Sequence, residues 1–165
     1  MSEGIASIMK RVDEECHTTG GCGKDGCRVD LKGMPKPPGR LIVDMDCKKL
    51  HIPTDRKRCD YLIFSDDPIN RNTDVIVVIP MEMKSGRVIA SDVIRQIQGG
   101  IKTAKSLIDS DILTRFVPIL VHKKGLNKKE RIELRKPIKI CGIVESIKSM
   151  KSGACLKDNL YLTTS

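Results

Sequence analysis

The chain has 165 residues, 39% hydrophobic and 31% charged, which fits one globular domain and excludes a disordered chain. Lys and Arg outnumber Asp and Glu by 30 to 21, a formal charge of +9. Such a balance suits a polyanionic partner, or else a basic but indifferent surface.

From the N-terminus, Ile5, Ile8, Met9 and Val12 recur at helical spacing, so residues 3–16 read as an amphipathic helix stopped by Thr18-Thr19-Gly20-Gly21. A cysteine- and glycine-rich loop runs from Cys16 to Cys27, and Gly33–Gly39 reads as a stiff proline-rich connector. Three strands are expected next. The first begins at Leu41-Ile42-Val43 and could reach Cys47, and the second covers Cys59–Phe64. Asp74–Lys84 makes the third, whose near-continuous apolar run predicts burial on both faces. Pro80 within it predicts a bulge or an edge.

Ser91 or Asp92 should cap a helix that aligns Ile94, Ile97, Ile101, Ala104 and Ile108, with Gly99-Gly100 marking close packing inside it. A fourth strand is expected at Phe116–Val121, a short polar helix around Asn127–Arg135, and a strand at Ile138–Val144. Leu160-Tyr161-Leu162 could add an edge strand. The order is helix, three strands, helix, strand, an α/β sandwich with a core over about residues 3–122. Residues 16–39 form its loop, and 123–165 a basic C-terminal extension.

Aromatic residues are confined to Tyr61, Phe64, Phe116 and Tyr161, so the core must be aliphatic and base-stacking platforms are few. No apolar run nears the roughly 20 residues a bilayer span requires. Met1-Ser2-Glu3-Gly4 lacks the layout of a secretion signal, so no membrane contact and a cytoplasmic location are expected. Seven cysteines suit reduced thiols or a metal site better than a complete disulfide framework.

One acid on the second strand and Glu82-Met83-Lys84 on the third carry the chemistry. Strand side chains alternate, so Glu82 and Lys84 project to one side, at the end of a strongly apolar run where charge demands a partner. Asp60 and Glu82 could share one Mg2+ or Mn2+, with the carbonyl of Met83 and waters completing its shell. Lys84 would then stand beside the metal-bound water and the reacting phosphate. Asp44 and Asp46, two apart on a strand, could replace Asp60, or form a solvated strand end.

Arg58-Cys59-Asp60-Tyr61-Leu62-Ile63-Phe64, Met81-Glu82-Met83-Lys84-Ser85-Gly86 and the following Arg95-Gln96-Ile97-Gln98 resemble the PD-(D/E)XK, restriction-endonuclease-like nuclease superfamily. The resemblance spans roughly Ile5 to Val121 and implies an α-β-β-β-α-β core with a mixed central sheet flanked by helices. It implies a Mg2+- or Mn2+-dependent hydrolysis of phosphodiesters, with DNA the expected substrate ahead of RNA. Asp60 and Glu82 correspond to metal ligands, Lys84 to the catalytic lysine, and Gln96 to a glutamine near the site. Cys59 stands where the family name has proline, and Glu15 is the candidate for the acid many members carry on the first helix.

Arg56-Lys57-Arg58 lies beside the proposed site and, with Lys123-Lys124, is expected to meet phosphates. Lys128-Lys129, Arg131, Arg135 and Lys136 extend a basic stretch that could track a nucleic-acid backbone or be a solvated helix face, and His122 could touch phosphate. Cys16, His17, Cys22 and Cys27 could bind zinc, or be plain loop residues. Two other readings compete with the nuclease: a non-catalytic nucleic-acid or protein binding module on the same fold, and a zinc-stabilised interaction protein. The small size suggests a homodimer or a partner protein.

Overall fold

The computed structural model describes residues 2–71 and 74–161. Helix α1 (Glu3–Arg11) is capped by the Ser2 side chain and ends earlier than its periodicity suggests. A separate 3-10 turn, Glu14–Cys16, follows. Next comes a small hairpin, β1 (Gly23–Lys24) and β2 (Cys27–Arg28), then β3 (Arg40–Asp44), β4 (Tyr61–Asp66) and β5 (Val75–Lys84). Helix α2 (Ala90–Leu107) leads into β6 (Leu113–Phe116) and β7 (Ile119–His122). The rest is α3 (Lys128–Arg135), β8 (Ile138–Ile140), β9 (Ile143–Glu145), β10 (Lys148–Lys151) and α4 (Leu156–Asn159).

The main sheet runs β10-β7-β5-β4-β3, with β6 beside the first half of β5. Antiparallel pairing of β3, β4 and β5 gives way to parallel pairing of β5 with β6 and β7, and of β7 with β10. The fold is thus α/β with a mixed central sheet flanked by helices. One sheet face carries Leu41, Leu62, Phe64, Ile76, Val78 and Leu120 and packs against α1, α2 and Leu134 of α3. The other carries Ile42, Ile63, Val77, Ile79 and Val121 and is covered by Cys22 and Cys27 of the hairpin, Met34, Leu156 and Leu160. Both faces of β5 are therefore buried, which accounts for its unbroken apolar run.

Pro80 lies in a central strand, not at an edge. The carbonyls of Val78 and Lys84 accept from Val117 and Lys123, so even-numbered backbone groups of β5 face β6 and β7. The N–H that Pro80 lacks falls on that side, opposite Val117-Pro118. There the single fourth strand expected from sequence splits into β6 and β7.

Ser91 and Asp92 do not cap α2; Ile89 is its N-cap position without a side-chain bond, and Glu130 of α3 accepts from the Ala90 N–H at 2.5 Å. Gly99 and Gly100 mark close packing. A Cβ on Gly99 would lie 1.7 Å from the Lys57 carbonyl oxygen, and one on Gly100 2.4 Å from Cys59 Sγ. The polar helix near Asn127 is present, capped by the Asn127 side chain.

Ile138–Val144 is not one strand but the hairpin β8–β9, turned at Cys141-Gly142, where both φ angles are positive. Within residues 123–161, β10 joins the sheet and Leu156 and Leu160 are fully buried, so this part of the C-terminal extension packs on the core. Leu160 follows α4 and Tyr161 is in no strand, while Leu162 lies outside the described residues. Cys16 is disulfide-bonded to Cys47, while Cys22, Cys27, Cys59, Cys141 and Cys155 are free thiols, so the cysteines form one bridge and not a complete framework. No helix among the described residues is long and apolar enough to cross a membrane.

Candidate functional site

Asp60 directly precedes β4, where its N–H donates to the Met81 carbonyl and its carbonyl accepts from Met45. Its carboxylate Oδ2 accepts from the Met83 N–H at 2.7 Å, fixing the side chain against the end of β5. Tyr61 pairs with Met81, so the next register step sets Asp60 against Glu82, close enough for each carboxyl group to feel the other's charge.

Glu82 is only 2% exposed. Its Oε1 lies 3.5 Å from Lys84 Nζ, while its Oε2 is buried with no hydrogen-bond partner. Burial raises the Glu82 carboxyl, the Asp60 charge raises it further, and Lys84 only partly offsets them, leaving it pushed up to about 8. Two acids side by side, one of them buried with an oxygen that neither Lys84 nor any other group satisfies, leave a place for a further positive partner.

Helix α2 brings a second unsatisfied group. Gln96 Oε1 is buried without a partner, and Gln96 lines a cavity of about 290 Å3 with Lys57, Lys84, Asp92 and Arg95. The Lys57 carbonyl lies against Gly99, so the loop before Asp60 is held on the helix that carries Gln96. Of the three consecutive basic residues, Lys57 reaches this cavity. Arg58 donates to the Met45 carbonyl at 3.3 Å, and Arg56 lies 3.5 Å from Thr103 Oγ1.

Lys24, at the tip of the β1–β2 hairpin, is the site residue that sequence reasoning missed. Its ammonium donates to Asp44 at 3.3 Å and to Asp46, and lies 3.6 Å from Asp60. The same ammonium lies over the Tyr61 ring, 5.1 Å from its centroid. Burial disfavours the ammonium, but the bond to Asp46 and the charges of Asp60, Asp44 and Asp46 outweigh that and hold it above the ordinary lysine value. Asp44 and Asp46 are thus neither a replacement for Asp60 nor a bare solvated end. They share a cation with it. Asp25-Gly26, both at positive φ, is the hairpin signal that could have placed Lys24.

Other candidates fall elsewhere. Glu15 is 67% exposed and pairs with Lys49 at 2.8 Å, not with the two acids, because α1 has already ended. The sulfur of Cys16 is bonded to Cys47, and His17 lies 3.1 Å from the Val12 carbonyl, so a zinc site of Cys16, His17, Cys22 and Cys27 is not assembled. Among the described residues no group of three or more His, Cys, Asp or Glu is arranged to hold a metal. Asp60 and Glu82 are a pair, as suits magnesium, which is held by one or two carboxylates with waters and substrate phosphate. Lys123 Nζ lies beside Gly26 of the hairpin, and the Lys124 carbonyl accepts from His122 Nδ1.

Compared with protein-family models, with curated proteins and with solved structures, the chain matches none.

Proposed function

We propose that this chain is a divalent-metal-dependent nuclease of the PD-(D/E)XK type, hydrolysing the phosphodiester bonds of DNA. The observation that carries the reading is the buried, partnerless Glu82 Oε2 beside the Asp60 carboxylate. An orphaned acceptor next to a second acid fits a missing cation better than a finished salt bridge. The sequence α1, β3, β4, β5, α2, β7, with the acid before β4 and Glu-x-Lys closing β5, supports the same reading.

Asp60 and Glu82 would hold the ion, with the Met83 carbonyl on the same side of β5 as its Asp60-bonded N–H. A Mg2+ or Mn2+ ion held there would supply a bound water more acidic than bulk water and charge to offset that of the phosphate. Lys84 brings an ammonium to the mouth of this pair, where it can orient a nucleophile and stabilise charge developing on the phosphate. Gln96, which lines the same cavity as Lys84, can fix the nucleophile through its amide. Lys57 brings a further positive charge for phosphate, while Arg95 is paired with Asp92 at 2.6 Å.

The test is cleavage of plasmid and linear DNA with Mg2+, Mn2+ or chelator. Wild type should cut only with metal, and Lys84→Ala should lose about 100-fold or more while melting like wild type. Metal-independent cutting, or a fully active Lys84→Ala, would refute the assignment. A manganese-soaked crystal should show anomalous density between Asp60 and Glu82.

A further inference from the structure

We propose that a row of basic side chains across the helix-covered sheet face, Lys84, His122 and Lys151, continued by Arg131 and Arg135 of α3, binds the phosphodiester backbone of a nucleic acid. The ligand's identity rests on the nuclease reading; the placement of the row does not.

The register builds the row. Lys84 of β5 stands directly opposite His122 of β7, and His122 directly opposite Lys151 of β10. Directly opposed residues share a face, and neighbouring strands lie about 4.8 Å apart. The three side chains therefore step outward from the Glu82 site in roughly 10 Å. Arg131 and Arg135 sit four apart on α3, so they neighbour one another on one side of that helix.

His122, Lys151, Arg131 and Arg135 meet around a cavity of about 280 Å3 that also takes Ser149, and no carboxylate lines it. The acids that would ordinarily neutralise a basic helix are engaged elsewhere: Glu130 caps α2 through the Ala90 N–H, and Glu133 pairs with Lys136 at 2.8 Å. Among the described residues no ion pair takes Arg131, Arg135 or Lys151. His122 Nδ1 donates to the Lys124 carbonyl at 2.7 Å, which leaves Nε2 as the ring atom that donates to a phosphate oxygen when it carries a hydrogen. An acid-free cavity of guanidinium, ammonium and imidazole groups, in line with Lys84, matches a chain of phosphates. Lys123 and Lys124, expected from sequence to take that role, contribute no lining to this cavity.

The experiment measures binding of a fluorescent 20-base-pair DNA duplex to the full chain by anisotropy, in chelator, across a series of salt concentrations. A second arm uses RNA of the same sequence. The variant Arg131→Gln/Arg135→Gln/Lys151→Gln should bind at least about tenfold more weakly at 0.1 M salt, and its plot of log affinity against log salt should flatten by about two to three units. A charge-matched control at exposed positions away from the row, Lys10→Gln/Lys32→Gln/Lys36→Gln, should retain the wild-type slope. The three substituted side chains are exposed, and a thermal melt checks that the fold is kept. Loss on either duplex supports the row, and the stronger loss names the preferred sugar. Equal slopes for both variants would overturn it, as would wild type binding neither duplex. The two claims separate: duplex binding weakened in the row variant, together with no cleavage by wild type in Mg2+ or Mn2+, would retain the row and sink the nuclease.

Discussion

Glu82 differs from an ordinary surface glutamate in what ionisation costs it. In the unfolded chain it titrates at the ordinary 4.5, and in the folded chain at about 8. Between those values the unfolded state sheds the proton more readily, so folding loses stability as pH rises from about 4.5 to about 8. Glu82→Gln removes the titration while keeping the shape. Without metal, its melting temperature should stay level over that range while that of wild type falls, with the two diverging most near pH 8. Parallel melting curves for the two proteins would mean that Glu82 is ionised at little cost in the folded chain.

Helix α2 is positioned by the absence of two side chains. At Gly99 an added methyl would run into the Lys57 carbonyl, which is backbone and can yield only by moving the loop that leads to Asp60. Gly99→Ala should therefore cost about 1–3 kcal/mol or more in denaturant unfolding. Gly86→Ala, where an added methyl meets nothing within 4 Å, should stay within about 0.5 kcal/mol of wild type. A Gly99→Ala protein of wild-type stability would show that the loop is not held against the helix. The same pair shows how far the sequence could be read. Periodicity is enough to find α2, and the glycines announce close packing, but their partner is 42 positions away along the chain and local pattern cannot name it. The apolar run of β5 and the Glu-x-Lys at its end are legible because burial and strand alternation are local. The break at Val117-Pro118 is not, since it answers Pro80 on another strand. Nor is β10, whose four residues include one apolar side chain, Met150. The hairpin that carries Lys24 was legible through Asp25-Gly26, yet what its lysine touches was not.

Across the whole molecule, the Cys16–Cys47 bond spans 31 positions and closes a loop that contains the β1–β2 hairpin and β3. It fixes the turn after α1 to the segment just beyond Asp46, so the hairpin with Lys24 and the strand with Asp44 are drawn together. By chain entropy a closure of this length contributes about 3–4 kcal/mol. Cys16→Ser/Cys47→Ser, or wild type in reductant, should unfold at correspondingly lower denaturant. Equal midpoints with and without reductant would show that the bond adds nothing to the fold.

The tethered ammonium at Asp44, Asp46 and Asp60 also sets the terms on which any dissolved ion can enter. Before one arrives the acids already have a counter-charge, so filling is an exchange and not a simple capture. An exchange of one positive charge for two is weak by itself and becomes favourable once something anionic arrives to balance the surplus. On the proposed nuclease reading, occupancy would then be low in the resting protein and rise with the arrival of a phosphate-bearing strand.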